Sequence, residues 1–524
     1  MKNETISTRT HGEQRAGTLH ALRESPLDLL IIGGGIVGSG IARDAAMRGL
    51  RVALVEQHDF AFGTSSRSSR LLHGGMRYLA QGRLGLVRQA SVEKKIIHQI
   101  APHLAEPLAF IFPAYRDNPD WRLWQLKLGV KIYDLLCGGR NLGKSSWLNA
   151  QTTLSKVPEL RADGLKGAVR YFDGFTNDAR LVLDTLRSAQ KNRALLLNYC
   201  RFLQGSRKDA WTCQLEDRLS GENLTVSTRS VVNATGPWAD GLPHSHVQLR
   251  LTKGVHMVVE RARIPVPETV VMTEGKRILF AIPWGERTIL GTTDTDYNGS
   301  QDDVRAEPGE IGYLLEVAGR FFPGVKLEPQ DIISTWAGLR PLLADPNGRP
   351  SDISRAHEIK TLEPGWWDVA GGKLTTYRLM AEEAVDGIVA WLRKLPDLDK
   401  QWLACRTAEE PLLPKIETEG VSGILPPQAG RGPVEHYCAN EWAIHLDDVM
   451  VRRTGWHYYL KSSPQLAEEV AKWMAELLGW PEPVRIEELE RYRKLSAPCT
   501  SASTASNSRA QPPRPQPEAA PFRG

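Results

Sequence analysis

Gly33-x-Gly35-x-x-Gly38 stands between an apolar run, Leu29 to Ile32, and a stretch of helical periodicity, Ile36 to Arg48. After the Gly49 stop a second run, Arg51 to Val55, ends at Glu56. This order predicts strand, glycine loop, helix and strand, a single βαβ unit. Gly33 permits a tight turn, Gly35 lets backbone N–H groups approach a pyrophosphate at the helix N-terminus, and Gly38 allows close helix–sheet packing. Glu56, at the end of the second strand, suits a ribose 2′-OH without a phosphate. That favours NAD or FAD over NADP and leaves the choice between those two to other segments. With 46 glycines in the chain the triplet alone is a weak signal, and an ordinary glycine-rich turn is the competing reading. Its place between strand and helix, with Glu56 downstream, gives it weight.

One such unit accounts for little of 524 residues, a length that implies two or three domains. Lys and Arg number 66 against 61 Asp and Glu, a balance without the basic excess of a nucleic-acid binder. Cys137, Cys200, Cys213, Cys405, Cys438 and Cys499 are scattered without a C-x-x-C spacing. Neither a metal site nor a disulfide framework is signalled, and a reducing compartment is expected. The longest apolar run, Leu27 to Ala42, is interrupted and shorter than the ~18 residues of a membrane span, so any membrane contact is expected to be peripheral.

Residues 1–26 are polar and aperiodic and 496–524 are rich in proline and serine; both ends are expected to be disordered. Residues 85–136 read as mainly helical, and Ser230 to Asn233 as a short buried strand. His256 to Glu260, Ile278 to Ile282 and Thr288 to Gly291 are short β-rich runs. The last two are joined through Trp284-Gly285-Glu286-Arg287 as an antiparallel hairpin. Helical periodicity dominates from Lys373 to Tyr492, with Gly420 to Pro433 as a plausible linker.

Further segments carry polar, glycine-rich chemistry. Gly63 to Tyr78 reads as a second ligand-wrapping loop, or else as a solvated one; Thr64, Ser65, Ser69, His73, Gly74 and Gly75 are its candidate cofactor contacts. Gly371-Gly372-Lys373-Leu374-Thr375-Thr376 opens a helical run, so its N–H groups and helix dipole point at whatever lies above, and it also serves as a plain helix start. Asn177-Asp178 reads as a helix N-cap without chemistry.

Together these segments resemble the FAD-dependent glycerol-3-phosphate dehydrogenases, within the wider glutathione-reductase-like and D-amino-acid-oxidase-like flavoproteins. The resemblance is carried by IIGGGIVGSGIARDAAMRGLRVALVE (31–56), GTSSRSSRLLHGGMRYL (63–79), FTNDARLV (175–182), VVNATGPWAD (231–240) and LTKGVHMVV (251–259). IPWGERTILGTTDTDY (282–297), WAGLRPLL (336–343) and GGKLTTYR (371–378) extend it in the same order. It covers roughly residues 28–390, and 400–492 more loosely.

The resemblance implies an α/β fold: a glutathione-reductase-like FAD-binding Rossmann-type domain, a β-rich substrate (cap) domain and a C-terminal helical domain. FAD-binding segments are expected near 28–95, 150–250 and 335–390, and cap segments near 96–149 and 251–334. The implied reaction is oxidation of sn-glycerol 3-phosphate to dihydroxyacetone phosphate, with electrons passing to a membrane quinone. The alternatives are reoxidation by O₂ to give H₂O₂, or a flavin-binding regulatory module without turnover. The implied location is cytoplasmic, peripheral on the inner face of the cell membrane. Trp121 to Leu136, which mixes tryptophans, aliphatics and cations, is either the docking helix or a partly buried helix of the second domain. No nucleic-acid partner and no metal are implied, and a homodimer stays open.

By motif position the resemblance places Arg77, Tyr78, Arg340, Arg355 and Lys373 around the substrate, where a phosphate monoester needs convergent cations. It places Gly33, Gly34, Gly35, Gly38, Glu56, Gly372, Lys373, Leu374 and Thr375 on the cofactor with the loop residues above. Removing the C2 hydroxyl proton favours a histidine. His256 is the preferred base and His73 is expected against the flavin, although either is equally well read as a structural histidine. Arg340 would stabilise the oxygen at C2. Val255 departs from the small polar residue expected between Gly254 and His256, and calcium-loop motifs are absent, which points to a bacterial-type enzyme.

Overall fold

The computed structural model describes residues 11–75, 84–138, 141–344, 357–396 and 400–496. Two sheets organise them. The first contains β1 (Leu27–Ile32), β2 (Val52–Val55), β7 (Leu195–Leu197), β8 (Cys200–Arg207), β9 (Trp211–Asp217), β10 (Asn223–Asn233), β17 (His357–Lys360) and β18 (Trp366–Gly371). Its order is β17-β18-β10-β1-β2-β7, parallel from β18 to β7. β1 and β2 are buried at every position, as strands covered on both faces must be, which is why they read as continuous apolar runs. β10 pairs with β9 through its first half and with β1 and β18 through its end, so one strand joins the parallel layer to a β-meander. The helix Ile36–Met47 packs on this sheet, and Gly40 lets it approach Tyr377 and Ala381 of the helix Tyr377–Leu392.

The second sheet contains β3 (Leu71–Leu72), β4 (Ala105–Tyr115), β5 (Ser146–Leu148), β6 (Leu165–Thr176), β11 (Leu249–Glu260), β12 (Thr269–Glu274), β13 (Arg277–Trp284), β14 (Arg287–Gly291), β15 (Thr295–Asp296) and β16 (Ile332–Leu343). Its order is β15-β11-β14-β13-β12-β4-β6-β3, with β16 on β11 and β5 on β6. The expected hairpin is β13 and β14, turned by Gly285 at φ +56°.

Two expectations are corrected and one is refined. Residues 85–136 are helical over most of their length but not throughout: β4 lies between the helices Leu84–Ile100 and Leu123–Cys137. Pro107 and Pro113 disguise it; β12 pairs with β4 only at Phe110 and Ile111, so both prolines stand beyond that short ladder. Residues 11–24 form a helix rather than a disordered lead, because Leu22 is buried and Arg15 bonds to Asp217 and to the Asn198 and Tyr199 carbonyls. The sheets also divide the chain differently from the expected segments, since β3, β6 and much of β16 belong to the second sheet.

The helices Arg431–Asn440, Trp456–Tyr459, Ser463–Leu478 and Glu482–Ser496 enclose a separate apolar cluster. Buried ion pairs fasten this unit to the nucleotide side: Arg180 to Glu441, and Arg452 and Arg453 to Asp59. Tyr458 and Tyr459 fasten it to the second sheet, through the Tyr458 ring on Trp336 and the Tyr459 carbonyl accepting from Arg287. Among the described residues no helix is long and apolar enough to cross a membrane.

Candidate active site

The nucleotide loop has the geometry its sequence demands. Gly33 adopts φ +109°, and a Cβ there would meet the Ala234 carbonyl oxygen at 2.6 Å. A Cβ on Gly38 would lie 2.0 Å from the Gly33 carbonyl oxygen, so the helix Ile36–Met47 can cross the loop at this distance only with glycine. The Glu56 carboxylate accepts from the Gly34 N–H at 2.7 Å and the His58 N–H at 2.8 Å. Burial pushes its pKa up against those N–H groups. Each oxygen takes one bond here, and a carboxylate has room for about four, which leaves capacity for a ribose hydroxyl. These features fit an adenosine pyrophosphate.

The second loop lies between the two sheets. Its hydroxyls have protein partners: Thr64 donates to the Leu339 carbonyl at 2.6 Å, Ser65 Oγ accepts from the Ile36 N–H at 3.0 Å, and Ser69 Oγ lies 2.8 Å from His256 Nε2. Farther along, the Gly74 N–H donates to Asp173 at 3.2 Å, and the Thr375 hydroxyl donates to the His73 carbonyl at 3.2 Å. That last bond brings His73-Gly74-Gly75 against Lys373-Leu374-Thr375. Gly371 and Gly372 turn the chain there at φ +73° and +79°. Asp173 also accepts from Lys94 at 2.7 Å and Tyr133 at 2.5 Å, a buried network that holds Gly74.

His256 and Arg340 share one face of the second sheet. In the β11–β16 register His256 is opposite Trp336, Gly254 opposite Gly338, and Thr252 opposite Arg340. The two paired glycines and Gly291 on β14 clear this face. A Cβ on Gly254 would meet Arg340 Nη2 at 2.5 Å, one on Gly338 the Arg67 carbonyl at 2.5 Å, and one on Gly291 His256 Cδ2 at 2.3 Å. Arg340 donates to Asp294 at 2.9 Å, the Thr292 hydroxyl at 3.2 Å and the Thr293 carbonyl at 3.3 Å. The His256 ring stacks on Trp336. Burial first, then the Arg340 and Arg70 charges, lower its pKa to about 3. Burial beside these two cations keeps the ring neutral, the form that can accept a proton. Lys253 and Val255 point to the other face, Lys253 toward Glu307 and Glu310 and Val255 into the apolar core, so the Val255 departure does not touch the site.

Arg70 is the residue that sequence reasoning missed most clearly. It is buried, in the left-handed region at φ +58°, with its guanidinium 4.2 Å from the Trp284 ring centroid and 4.0 Å from Asp178. Asp178 was expected to be part of a helix cap. Asn177 makes the cap, and Asp178 accepts from the Ser68 N–H at 2.9 Å. The signal was the pair of acidic and basic residues in FTNDAR and SSRSSR, far apart in sequence. Arg77, Tyr78 and Arg355 lie outside the described residues.

The family model for FAD-dependent oxidoreductases matches residues 28–386. A second, for the C-terminal domain of alpha-glycerophosphate oxidase, matches residues 427–485. An aerobic glycerol-3-phosphate dehydrogenase of Staphylococcus epidermidis is 39% identical over 383 residues, 71% of this chain and 69% of that one. The chain belongs to the FAD-dependent glycerol-3-phosphate dehydrogenase family. Its cofactor is FAD, in keeping with the nucleotide loop. The counterpart from Staphylococcus haemolyticus is 37% identical, over 75% of this chain and 72% of its own. The structure of a glycerol-3-phosphate dehydrogenase from Bacillus halodurans complexed with FAD superposes with TM-score 0.75 at 28% identity, covering 94% of this chain and 100% of that one. An L-alpha-glycerophosphate oxidase from Mycoplasma pneumoniae, at 17% identity, TM-score 0.56 and coverage of 72% and 97%, shares the fold.

Proposed function

We propose that the protein oxidises sn-glycerol 3-phosphate to dihydroxyacetone phosphate and delivers the electrons to a membrane quinone. The observation that carries this reading is the cleared face bearing His256 and Arg340, joined through the loop 63–75 to the nucleotide site. The names of the relatives supply the substrate class. The chemistry that FAD supplies when bound is two-electron acceptance, the C2 hydrogen leaving as hydride. Gly33, Gly34, Gly35, Gly38 and Glu56 hold its adenosine and pyrophosphate; Gly74, Gly75, Gly372, Lys373, Leu374 and Thr375 form the second contact region.

Arg340 carries a fixed charge, oriented by Asp294, that stabilises anionic character on the C2 oxygen as its proton leaves. His256 takes that proton. Its low pKa reflects burial beside two cations, and a substrate with about −1.5 to −2 charge raises it. Arg77, Tyr78 and Arg355 are assigned to the phosphate by their motifs, with Lys373 beside them; His73 faces the cofactor.

We place the membrane contact on the helix Leu123–Cys137. Trp124, Leu128 and Leu135 are 61%, 54% and 78% exposed along it, and Trp147 beside it is 57% exposed with Lys127 and Lys131 over its ring. Exposed aromatics and aliphatics flanked by cations suit an anionic bilayer interface on the cytoplasmic side. The acceptor is tested by turnover with glycerol 3-phosphate and a quinone analogue, in air and without it. Rapid quinone reduction with little H₂O₂ is expected; stoichiometric peroxide and indifference to the quinone would make the protein an oxidase. Charge reversal of Arg122, Lys127 and Lys131 should release it from anionic liposomes, and unchanged sedimentation would exclude this helix.

A further inference from the structure

The imidazole of His256 is fixed on three sides. Trp336 covers one face, with ring centroids 5.1 Å apart at 18°, and Gly291 crowds the Cδ2 edge. Ser69 Oγ stands 2.8 Å from Nε2. Nδ1 is buried and has no hydrogen-bond partner among the described residues. Ser69 is therefore the one described group within hydrogen-bond distance of either ring nitrogen, and its hydroxyl can donate as well as accept there.

The backbone on both sides of Ser69 is itself clamped. The Ser68 N–H donates to Asp178 at 2.9 Å and the Ser68 carbonyl accepts from Trp336 Nε1 at 3.1 Å. After it, the Arg70 carbonyl accepts from the Thr176 N–H at 2.9 Å while the Arg70 side chain lies on Trp284. Trp336 thus braces both partners, the histidine ring by stacking and the serine through its neighbour's carbonyl. A serine fixed at this distance from a buried ring nitrogen differs from one left to contact a cofactor.

We propose that Ser69 relays the proton that the reaction removes, its hydroxyl donating to an unprotonated His256 Nε2 while accepting from the substrate's C2 hydroxyl. The inference rests on the proposed oxidation of glycerol 3-phosphate. In the step, the C2–H bond breaks and its electron pair leaves with the hydride to the cofactor. The hydroxyl proton passes to Ser69 Oγ as the Ser69 proton passes to His256 Nε2, and C2 becomes a carbonyl carbon. The proton on His256 returns to water when product leaves.

The test uses the FAD-loaded full chain with Ser69→Ala, Ser69→Thr, His256→Asn and the Ala/Asn double variant. Turnover of glycerol 3-phosphate, FAD content by absorbance, and affinity of the oxidised protein for dihydroxyacetone phosphate by calorimetry are measured. Ser69→Ala is expected to lower kcat by about 10²-fold, with FAD content and product affinity within about twofold of wild type. Ser69→Thr should restore most of kcat, and Ser69→Ala should cost nothing further in the His256→Asn background. Wild-type kcat in Ser69→Ala, loss of FAD in that variant, or independent additive losses would overturn the proposal. An FAD-bound wild type that leaves glycerol 3-phosphate unchanged would overturn the parent reading and this one with it; an active wild type with an equally active Ser69→Ala overturns this one alone.

Discussion

Gly254→Ala places one carbon where the β11–β16 register requires empty space. The new Cβ would stand 2.5 Å from Arg340 Nη2, 2.7 Å from the Thr292 hydroxyl and 2.9 Å from Arg340 Cζ. All are side-chain atoms, so the sheet survives and the guanidinium moves. Alanine in a strand is, if anything, slightly favoured over glycine, so stability should change by less than about 1 kcal/mol. Activity should not survive so well. Moving Arg340 off Asp294, Thr292 and Thr293 forfeits its aim at the substrate oxygen, and a hydrogen bond from a charged group contributes about 1.5–3 kcal/mol. That corresponds to a loss of roughly 10- to 150-fold in kcat/KM. The assay is steady-state turnover with glycerol 3-phosphate at matched FAD content. A variant within about twofold of wild type would show that Arg340 has no part in the reaction; one that lost FAD instead would show that the two sheets are not functionally separate.

Gly38→Val sets a Cβ 2.0 Å from the Gly33 carbonyl oxygen, which is backbone and has no rotamer to escape into, so the purified variant should be colourless; retained flavin absorbance would contradict the loop geometry. Glu441→Ala leaves Arg180 buried beside Asp184 without its main partner and should cost about 3–5 kcal/mol in denaturant unfolding, whereas a loss below about 1 kcal/mol would assign the C-terminal unit a different anchor. The His256 pKa is depressed from 6.5 to about 3, so its contribution is complete above the unfolded value and falls as acid protonates the unfolded chain alone. At about pH 5 the deficit is roughly 2 kcal/mol, and His256→Asn should abolish that part of the acid slope in melting temperature; identical slopes would show that the ring is not buried neutral.

What was legible in the sequence was local. The βαβ unit from Leu27 to Val55 and the β13–β14 hairpin are each encoded within a few dozen residues, by periodicity and by glycines at fixed offsets. β4 was hidden because proline ordinarily excludes a central strand, and only the short reach of β12 reveals why two are tolerated. The N-terminal helix was hidden because Leu22, the partly buried Leu19 and polar contacts of Gln14, Arg15 and the Ala21 carbonyl hold it, too few apolar positions for a hydrophobic pattern. His256 and Arg340 were identified from separate motifs, yet their common face exists only through the pairing of β11 with β16, which no local pattern announces. Arg70 sat in a polar run where cations ordinarily face water; its burial depends on Trp284, Trp336 and Asp178, each from a different segment.

The most direct measurement is a single anaerobic mixing of the FAD-bound protein with glycerol 3-phosphate, following the visible absorbance of the flavin and assaying the product. The account predicts rapid bleaching with one dihydroxyacetone phosphate formed per flavin. A spectrum that stays yellow, with the added ester recovered unchanged, would contradict it.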